Sequence, residues 1–147
     1  MQPVAATADD IASWLELARQ VEPLFGPMPL FDVTLRTKIA EGAALCVREG
    51  AVVLGGILLG GEAPDHWIRW LAVRTSARGH GAGAALLGAA LARMPSPCTV
   101  SLATFGADIA DGRAARRLYA RFGFVAGEML PRGPEGGSRQ RFTLARP

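Results

Sequence analysis

The sequence predicts an α/β (α+β) domain: a mixed sheet with helices on both faces. Two observations predict it. The hydrophobic pattern has a helical period up to residue 42 and then breaks into short apolar runs. From Trp67 to Phe105 a strand, a helix and a second strand follow one another, and that order requires a parallel pair joined by a right-handed crossover. Helix, helix, three strands, helix, strand, helix and two strands are buried most simply around one central sheet.

The elements follow in chain order. A short strand is expected near Val4. Thr7 and Asp10 have the spacing of a capping box, with Asp in the place of Glu or Gln. Ile11, Trp14, Leu15, Ala18 and Val21 then recur at helical spacing. Glu22 to Pro29 holds three prolines and a glycine and reads as a loop. Phe31, Leu35 and Ile39 mark a second helix, closed by Gly42. Ala44 to Val47 and Ala51 to Leu59 flank Arg48-Glu49-Gly50, the pattern of a hairpin with a tight turn. Trp67 to Val73 is a strand, Gly81 to Arg93 a helix ended by Pro95 and Pro97, and Cys98 to Phe105 a strand. Gly112 to Phe122 is a helix, with Ala115, Leu118, Tyr119 and Phe122 on one face and arginines on another. Phe124 to Leu130 and Gln140 to Leu144 are the last strands, on either side of a Gly- and Pro-rich stretch.

Length and composition narrow the classes. A chain of 147 residues builds one domain. Half of the residues are hydrophobic and a fifth charged, an ordinary globular balance. The longest apolar run, Ala51 to Gly61, is far short of the roughly 20 residues that cross a bilayer, so no membrane association is expected. The N-terminus, with Asp9, Asp10 and Glu16, does not have the pattern of a signal peptide. Cys46 and Cys98 sit in apolar segments and read as reduced core thiols of a cytoplasmic protein. The net charge is +3, and all but one of the sixteen basic residues are arginine. Arginine suits phosphate, but no basic stripe interleaved with aromatics argues for nucleic acid. A high-GC genome explains much of the bias.

The most informative segment runs Leu71-Ala72-Val73-Arg74-Thr75-Ser76-Ala77-Arg78-Gly79-His80-Gly81-Ala82-Gly83-Ala84. A strand passes through a loop into a helix that opens on alternating glycines. Free amides at a helix start carry the positive end of the helix dipole, and glycine removes the Cβ atoms that would hold a phosphate away. This is chemistry for a pyrophosphate. Gly79 to Ala84 also matches the G-x-G-x-x-A form of the dinucleotide fingerprint. Against that, five residues separate Val73 from Gly79, and no acidic residue ends the next strand to hold a ribose. A glycine-rich helix start used only for close packing is the plain structural alternative.

Arg78-Gly79-His80-Gly81-Ala82-Gly83, preceded by Leu71-Ala72-Val73, resembles the R/Q-x-x-G-x-G/A signature of the GNAT superfamily of acyl-CoA-dependent N-acetyltransferases. Ala115-Arg116-Arg117-Leu118-Tyr119-Ala120-Arg121-Phe122-Gly123-Phe124 is similar to the second hallmark, A-x-x-L-Y-x-x-x-G-F. The resemblance covers the chain from about Ala43 to Leu144. It implies a mostly antiparallel sheet whose central parallel pair splays to admit CoA, with residues 1–42 forming the helical substrate side and 43–147 the CoA-binding core. It implies that Leu71, Ala72 and Val73 pair with the pantetheine arm, that the amides of Arg78, Gly79, His80, Gly81, Ala82, Gly83 and Ala84 cradle the pyrophosphate, and that the Val73 amide polarises the thioester carbonyl. Tyr119 takes the place of the general acid for the departing thiolate, against the alternative of one more core aromatic. Arg117, with Arg113, Arg116 and Arg121, offers charge for the CoA 3′-phosphate or simply a solvated face.

The chain departs from the family pattern twice. Gly112 stands where Asn is usual, beside Asp111, a good N-cap. Trp67 stands where many relatives have the glutamate base. Glu62, Asp65 and His66 remain as candidates, of which His66 has the most useful pKa; a water chain or an acceptor of low pKa serves equally. Arg69 and Arg74 flank the expected splay and offer charge for a substrate carboxylate. Phe25, Met28 and Phe31, with Trp67 or Trp70, would line the acceptor side. The expected activity is therefore acetyl transfer from acetyl-CoA, with no metal, to a primary amine of a small molecule or peptide by direct attack in a ternary complex. The alternative is a catalytically silent CoA-binding sensor or interaction domain. The final strand, Gln140 to Leu144, is expected near a sheet edge that a homodimer would close, unless Arg139, Arg141 and Arg146 protect it.

Overall fold

The computed structural model describes residues Met1 to Pro147. The strands are β1 (Val4–Ala5), β2 (Ala44–Glu49), β3 (Val52–Glu62), β4 (Asp65–Val73), β5 (Cys98–Phe105), β6 (Val125–Leu130) and β7 (Arg139–Arg146). The helices are α1 (Ile11–Phe25), α2 (Phe31–Ala40), α3 (Ala82–Ala92) and α4 (Arg113–Arg121). All seven strands join one sheet in the order β1-β2-β3-β4-β5-β7-β6. Only β4 and β5 run parallel, with α3 as their crossover. The sheet is therefore mixed, as the pattern predicts, and mostly antiparallel, as the resemblance implies. No helix is long and apolar enough to cross a membrane.

Two elements differ from the sequence expectation. The Glu22–Pro29 loop begins later, because α1 continues through Pro23 to Phe25. A proline there lacks an N–H and crowds the carbonyl four residues back. The last turn is held instead by packing: Phe25 meets Trp70 edge-on at 5.9 Å and Phe105 at 6.1 Å. Gly26 then ends the helix, its N–H donating to Glu22 C=O at 2.7 Å. The buried face of α1 also takes Leu17 rather than the half-buried Leu15, since Leu17 stands three residues after Trp14 and four before Val21.

The second correction concerns β7. It is not an edge strand: it inserts between β5 and β6, paired with both. The open edges are β6 and the two-residue β1. A strand's neighbours depend on pairings far away in sequence, which period-2 alternation does not report.

Each face of the sheet has its own core. Trp14, Leu17, Val21 and Leu35 from α1 and α2 pack on Cys46, Val53, Leu58 and Ala72. On the other face, Leu86, Leu87, Ala90 and Leu91 of α3 and Tyr119 of α4 pack on Ile57, Ile68, Val100, Leu102 and Phe142. Cys46 and Cys98 are buried and free. At the N-terminus, Thr7 N–H donates to Asp10 Oδ2 at 2.8 Å. Arg48 grips the same carboxylate with Nε at 2.9 Å and a terminal nitrogen at 3.0 Å, tying the start of α1 to β2.

Candidate functional site

The centre of the sheet is open at one end. β4 and β5 pair only over Asp65–Ile68 and Thr99–Leu102; beyond those rungs the two strands have no common register. Ala103, the next residue of β5, is exposed although its strand lies in mid-sheet. The change coincides with a β-bulge. Leu58 of β3 faces Trp70 and Leu59 faces Ile68, so Arg69 is an extra residue.

The backbone after the bulge is aimed into this gap. Arg74 N–H donates to Leu54 C=O of β3 at 2.6 Å. Successive residues of a strand turn their N–H and C=O to opposite edges. Ala72 therefore faces β3 with Arg74, while Leu71 and Val73 present their polar groups to the side that β5 has left. Their side chains pack towards α3, whereas Ala72 and Trp70 pack towards α1 and α2.

Beyond Val73 a short 3-10 turn, Thr75–Ala77, leads into Arg78–Gly81 and α3. The first hydrogen bond into α3 is Ala85 N–H to Gly81 C=O at 2.9 Å. The N–H groups from Gly79 to Ala84 have no backbone acceptor. Gly79 and Gly81 have φ of +80° and +86°, with nothing within 4 Å of where a Cβ would stand. A run of free amides at an uncluttered helix start is a cradle for phosphate oxygens. Gly83 differs: a Cβ there would come 3.2 Å from Leu118 Cδ2, so this glycine lets α4 approach α3. Arg78 lies beside the cradle, its Nε 3.4 Å from Val73 O, and His80 Nδ1 is 3.3 Å from Ala77 O.

Tyr119 faces inward from α4, edge-on to Phe124 at 5.8 Å and Phe142 at 6.2 Å. Burial alone raises its pKa well above the ordinary phenol range, so the hydroxyl stays protonated. Arg117 is exposed on α4 and lines an open cleft with Ala114, Ala120 and Arg121. Arg116 is engaged internally, donating to Phe105 O at 2.9 Å and Gln140 Oε1 at 2.7 Å. The same holds for Arg74, whose guanidinium reaches Val53 O at 3.1 Å and Ser13 O at 3.4 Å. Neither is free for a ligand.

His66 is not brought to the gap. It sits opposite Val100, two rungs before the gap opens, on the face that packs against α3 and α4. Its Nε2 is buried without a partner.

The other face carries an aromatic platform. Trp70 gathers Phe31 at 5.1 Å, Phe25 at 5.9 Å and Trp14 at 5.9 Å, and its Nε1 points to Met28 Sδ at 3.4 Å. Arg139 closes the far side. It pairs with Glu135 at 2.6 Å, lies over Phe105 and donates to Phe25 O at 3.3 Å. Two residues on this face, Arg141 and Ser101, carry no sequence signal for the site; the pattern reads Arg141 only as edge protection, which an interior β7 does not need. Arg141 donates to Ser101 Oγ at 2.9 Å, and its guanidinium carbon lies 5.0 Å from the Trp67 ring centroid. Their partnership depends on the β5–β7 register, in which Ala103 meets Arg141 and Ser101 meets Thr143.

The fold has counterparts among known proteins. A model of the acetyltransferase (GNAT) family matches residues 9–124. No curated protein matches the sequence. Among solved structures, Ard1 from Thermoplasma volcanium superposes with a TM-score of 0.82 at 21% identity, over 98% of this chain and 96% of that one. A chain of the NatC complex bound to Gag peptide and CoA gives 0.78 at 19% identity, over 100% of both chains. Arabidopsis thaliana Naa50 in complex with the bisubstrate analogue CoA-Ac-MVNAL gives 0.74 at 17% identity, over 99% of this chain and 98% of that one.

Proposed function

Because the chain belongs to the GNAT acetyltransferase family, we propose that it transfers an acetyl group from acetyl-CoA to a primary amine of a small molecule or peptide, by direct attack within a ternary complex. The observation that carries this reading is the gap between β4 and β5 beside the free amides of Gly79 to Ala84. Two of the solved relatives hold CoA or a CoA conjugate together with a peptide, in keeping with a donor and an acceptor meeting at such a gap.

Acetyl-CoA supplies an activated acyl carbon and a thiolate leaving group. The chain's own groups divide the remaining work. The amides from Gly79 to Ala84, with Arg78 beside them, receive the pyrophosphate, and Arg117 on α4 adds charge for the 3′-phosphate. Leu71 offers its N–H and C=O, and Val73 its C=O, to the pantetheine amides as a neighbouring strand would. The Val73 N–H serves as the fixed donor for the carbonyl oxygen as negative charge grows on it, an arrangement that favours the transition state without reorganisation. Transfer makes a C–N bond and breaks the C–S bond. The amine loses a proton and the departing sulfur gains one, for which the Tyr119 hydroxyl is the donor.

Trp67 faces the acceptor side without a basic atom, and His66 faces the other way. Glu62 and Asp65 are exposed at the β3–β4 turn, three rungs or more before the gap. Proton removal therefore falls to water, unless the acceptor amine is already neutral at working pH. The reading is tested by a thiol-release assay with acetyl-CoA over a panel of primary amines. Turnover on some of them is expected. Silence on all of them, with acetyl-CoA still bound, would leave a sensor or interaction domain as the function.

A further inference from the structure

Most arginines near the gap are engaged. Arg74 and Arg116 are tied to backbone carbonyls, and Arg139 is neutralised by Glu135. Arg69 and Arg141 are different. The guanidinium of Arg69 lies 4.7 Å from the Trp67 ring centroid and that of Arg141 5.0 Å from it. Neither takes part in any of the three ion pairs, which join Lys38 to Glu41, Arg48 to Asp10 and Arg139 to Glu135. Arg69 lies over Gly60 on the β3 side of that ring and Arg141 over Ser101 on its β5 side, so the indole stands between two cations without a carboxylate partner.

The arrangement is built into the fold. Trp67 of β4 pairs with Gly60 of β3. A Cβ at Gly60 would stand 2.7 Å from Arg69 Nε and 2.8 Å from its Cγ, so the bare glycine provides the trough in which Arg69 lies. Buried Ser101 aims Arg141 from the neighbouring strand. Arg69 is the bulge residue immediately after the last β4–β5 rung, and Arg141 pairs with exposed Ala103 immediately beyond it. Arg141 thus stands at the head of the gap and Arg69 across the indole from it, both on the face of Trp70, Phe25 and Phe31. The free amides for the donor's phosphates lie past the opposite, C-terminal end of β4.

We infer that the acceptor is an amine that also carries a carboxylate, which Arg141 takes, with Arg69 adding charge from across the indole, while the Trp70 platform holds its apolar body. This inference rests on the transferase reading above and names its acceptor class. A planar carboxylate matches guanidinium forks, and anchoring it beside the gap holds the amine where attack is possible. Arg69 and Arg141 are specificity-determining residues; they take no part in bond making.

The test uses matched acceptors differing only in that charge: aminomethylbenzoate against its carboxamide, and a short peptide with Glu as second residue against the same peptide with Gln. kcat/KM is measured for the wild type, Arg69→Gln and Arg141→Gln. The wild type should prefer the charged member of at least one pair by about 100-fold, and each variant should lose about tenfold or more of that preference. Preference in the first pair alone identifies a small amino-carboxylate acceptor, and preference in the second an acidic peptide. An equal rate on both members, or variants that slow both members equally, overturns the inference while leaving the transferase reading intact. Failure on every amine, with acetyl-CoA still bound, would instead overturn the transferase reading and this inference with it.

Discussion

Replacing Gly81 separates backbone strain from ligand contact, because the structure gives each its own magnitude. Gly81 has φ +86° and ψ 7°, with open space where a Cβ would stand. Alanine there meets no atom in the free protein, so its cost is the left-handed conformation alone, about 1–2 kcal/mol. For a chain of this length that lowers Tm by roughly 2–8 °C, and the domain remains folded. The same methyl group stands in the cradle. Each charge-assisted amide contact that it displaces is worth about 1.5–3 kcal/mol, so acetyl-CoA affinity should fall by about 10- to 100-fold, and further with Gly81→Val. Gly83→Ala is the control. Its Cβ points 3.2 Å from Leu118 Cδ2, towards α4 rather than the ligand, and alanine gains about 1 kcal/mol of helix propensity. Calorimetry with acetyl-CoA, alongside circular dichroism, reads both effects. Undiminished affinity in a folded Gly81→Val variant would refute the cradle, and an equal loss in Gly83→Ala would show that helix packing, not backbone approach, controls binding.

Three further outcomes are expected. Tyr119→Phe removes the proposed proton donor without changing the ring packing against Phe124 and Phe142, so kcat should drop by about 100-fold or more with CoA affinity held; an unchanged kcat returns Tyr119 to the core. Burial alone would raise the Asp10 pKa, but the Arg48 fork and the Thr7 N–H outweigh it and hold the carboxyl below its usual value. Its stabilisation is complete above the unfolded value of about 3.9 and is lost as pH falls through the lower folded value. Asp10→Asn should therefore melt several degrees lower at neutral pH, and the gap to wild type should close in acid; a constant gap down to pH ~2 would refute the linkage. With β7 inside the sheet, a homodimer is expected through β6, where Val125 and Met129 are exposed on an open edge. Sedimentation of the wild type as a single 15.4 kDa species would rule that out.

Local features of the fold were legible in the sequence, and nonlocal ones were not. The helical periods of α1 and α2, the Gly50 turn between β2 and β3 and the glycine-opened start of α3 are each decided by residues within a few positions of one another. The insertion of β7 between β5 and β6 is decided by pairings such as Leu102 with Phe142 and Ala126 with Phe142, about which alternation along one strand is silent. The persistence of α1 through Pro23 likewise depends on Trp70 and Phe105, distant partners of Phe25.

The bulge at Arg69 shows how much a single nonlocal register can decide at a site. Strict alternation along β4 would put Trp67, Arg69, Leu71 and Val73 on one face and Trp70 with Ala72 on the other. The extra residue shifts the parity after Arg69. Leu71 and Val73 then turn their side chains towards α3, and Trp70 joins Trp67 and Arg69 on the side of α1 and α2. One inserted residue thus brings the aromatic platform and the unopposed guanidinium onto the same surface, beside the point where β4 and β5 part. Arg69 and Arg74, equivalent in sequence as charges flanking the splay, acquire opposite roles from their positions relative to that bulge. Arg74 turns back to bind Val53 and Ser13, and Arg69 is left beside Trp67 on the face of α1 and α2, outside the ion pairs.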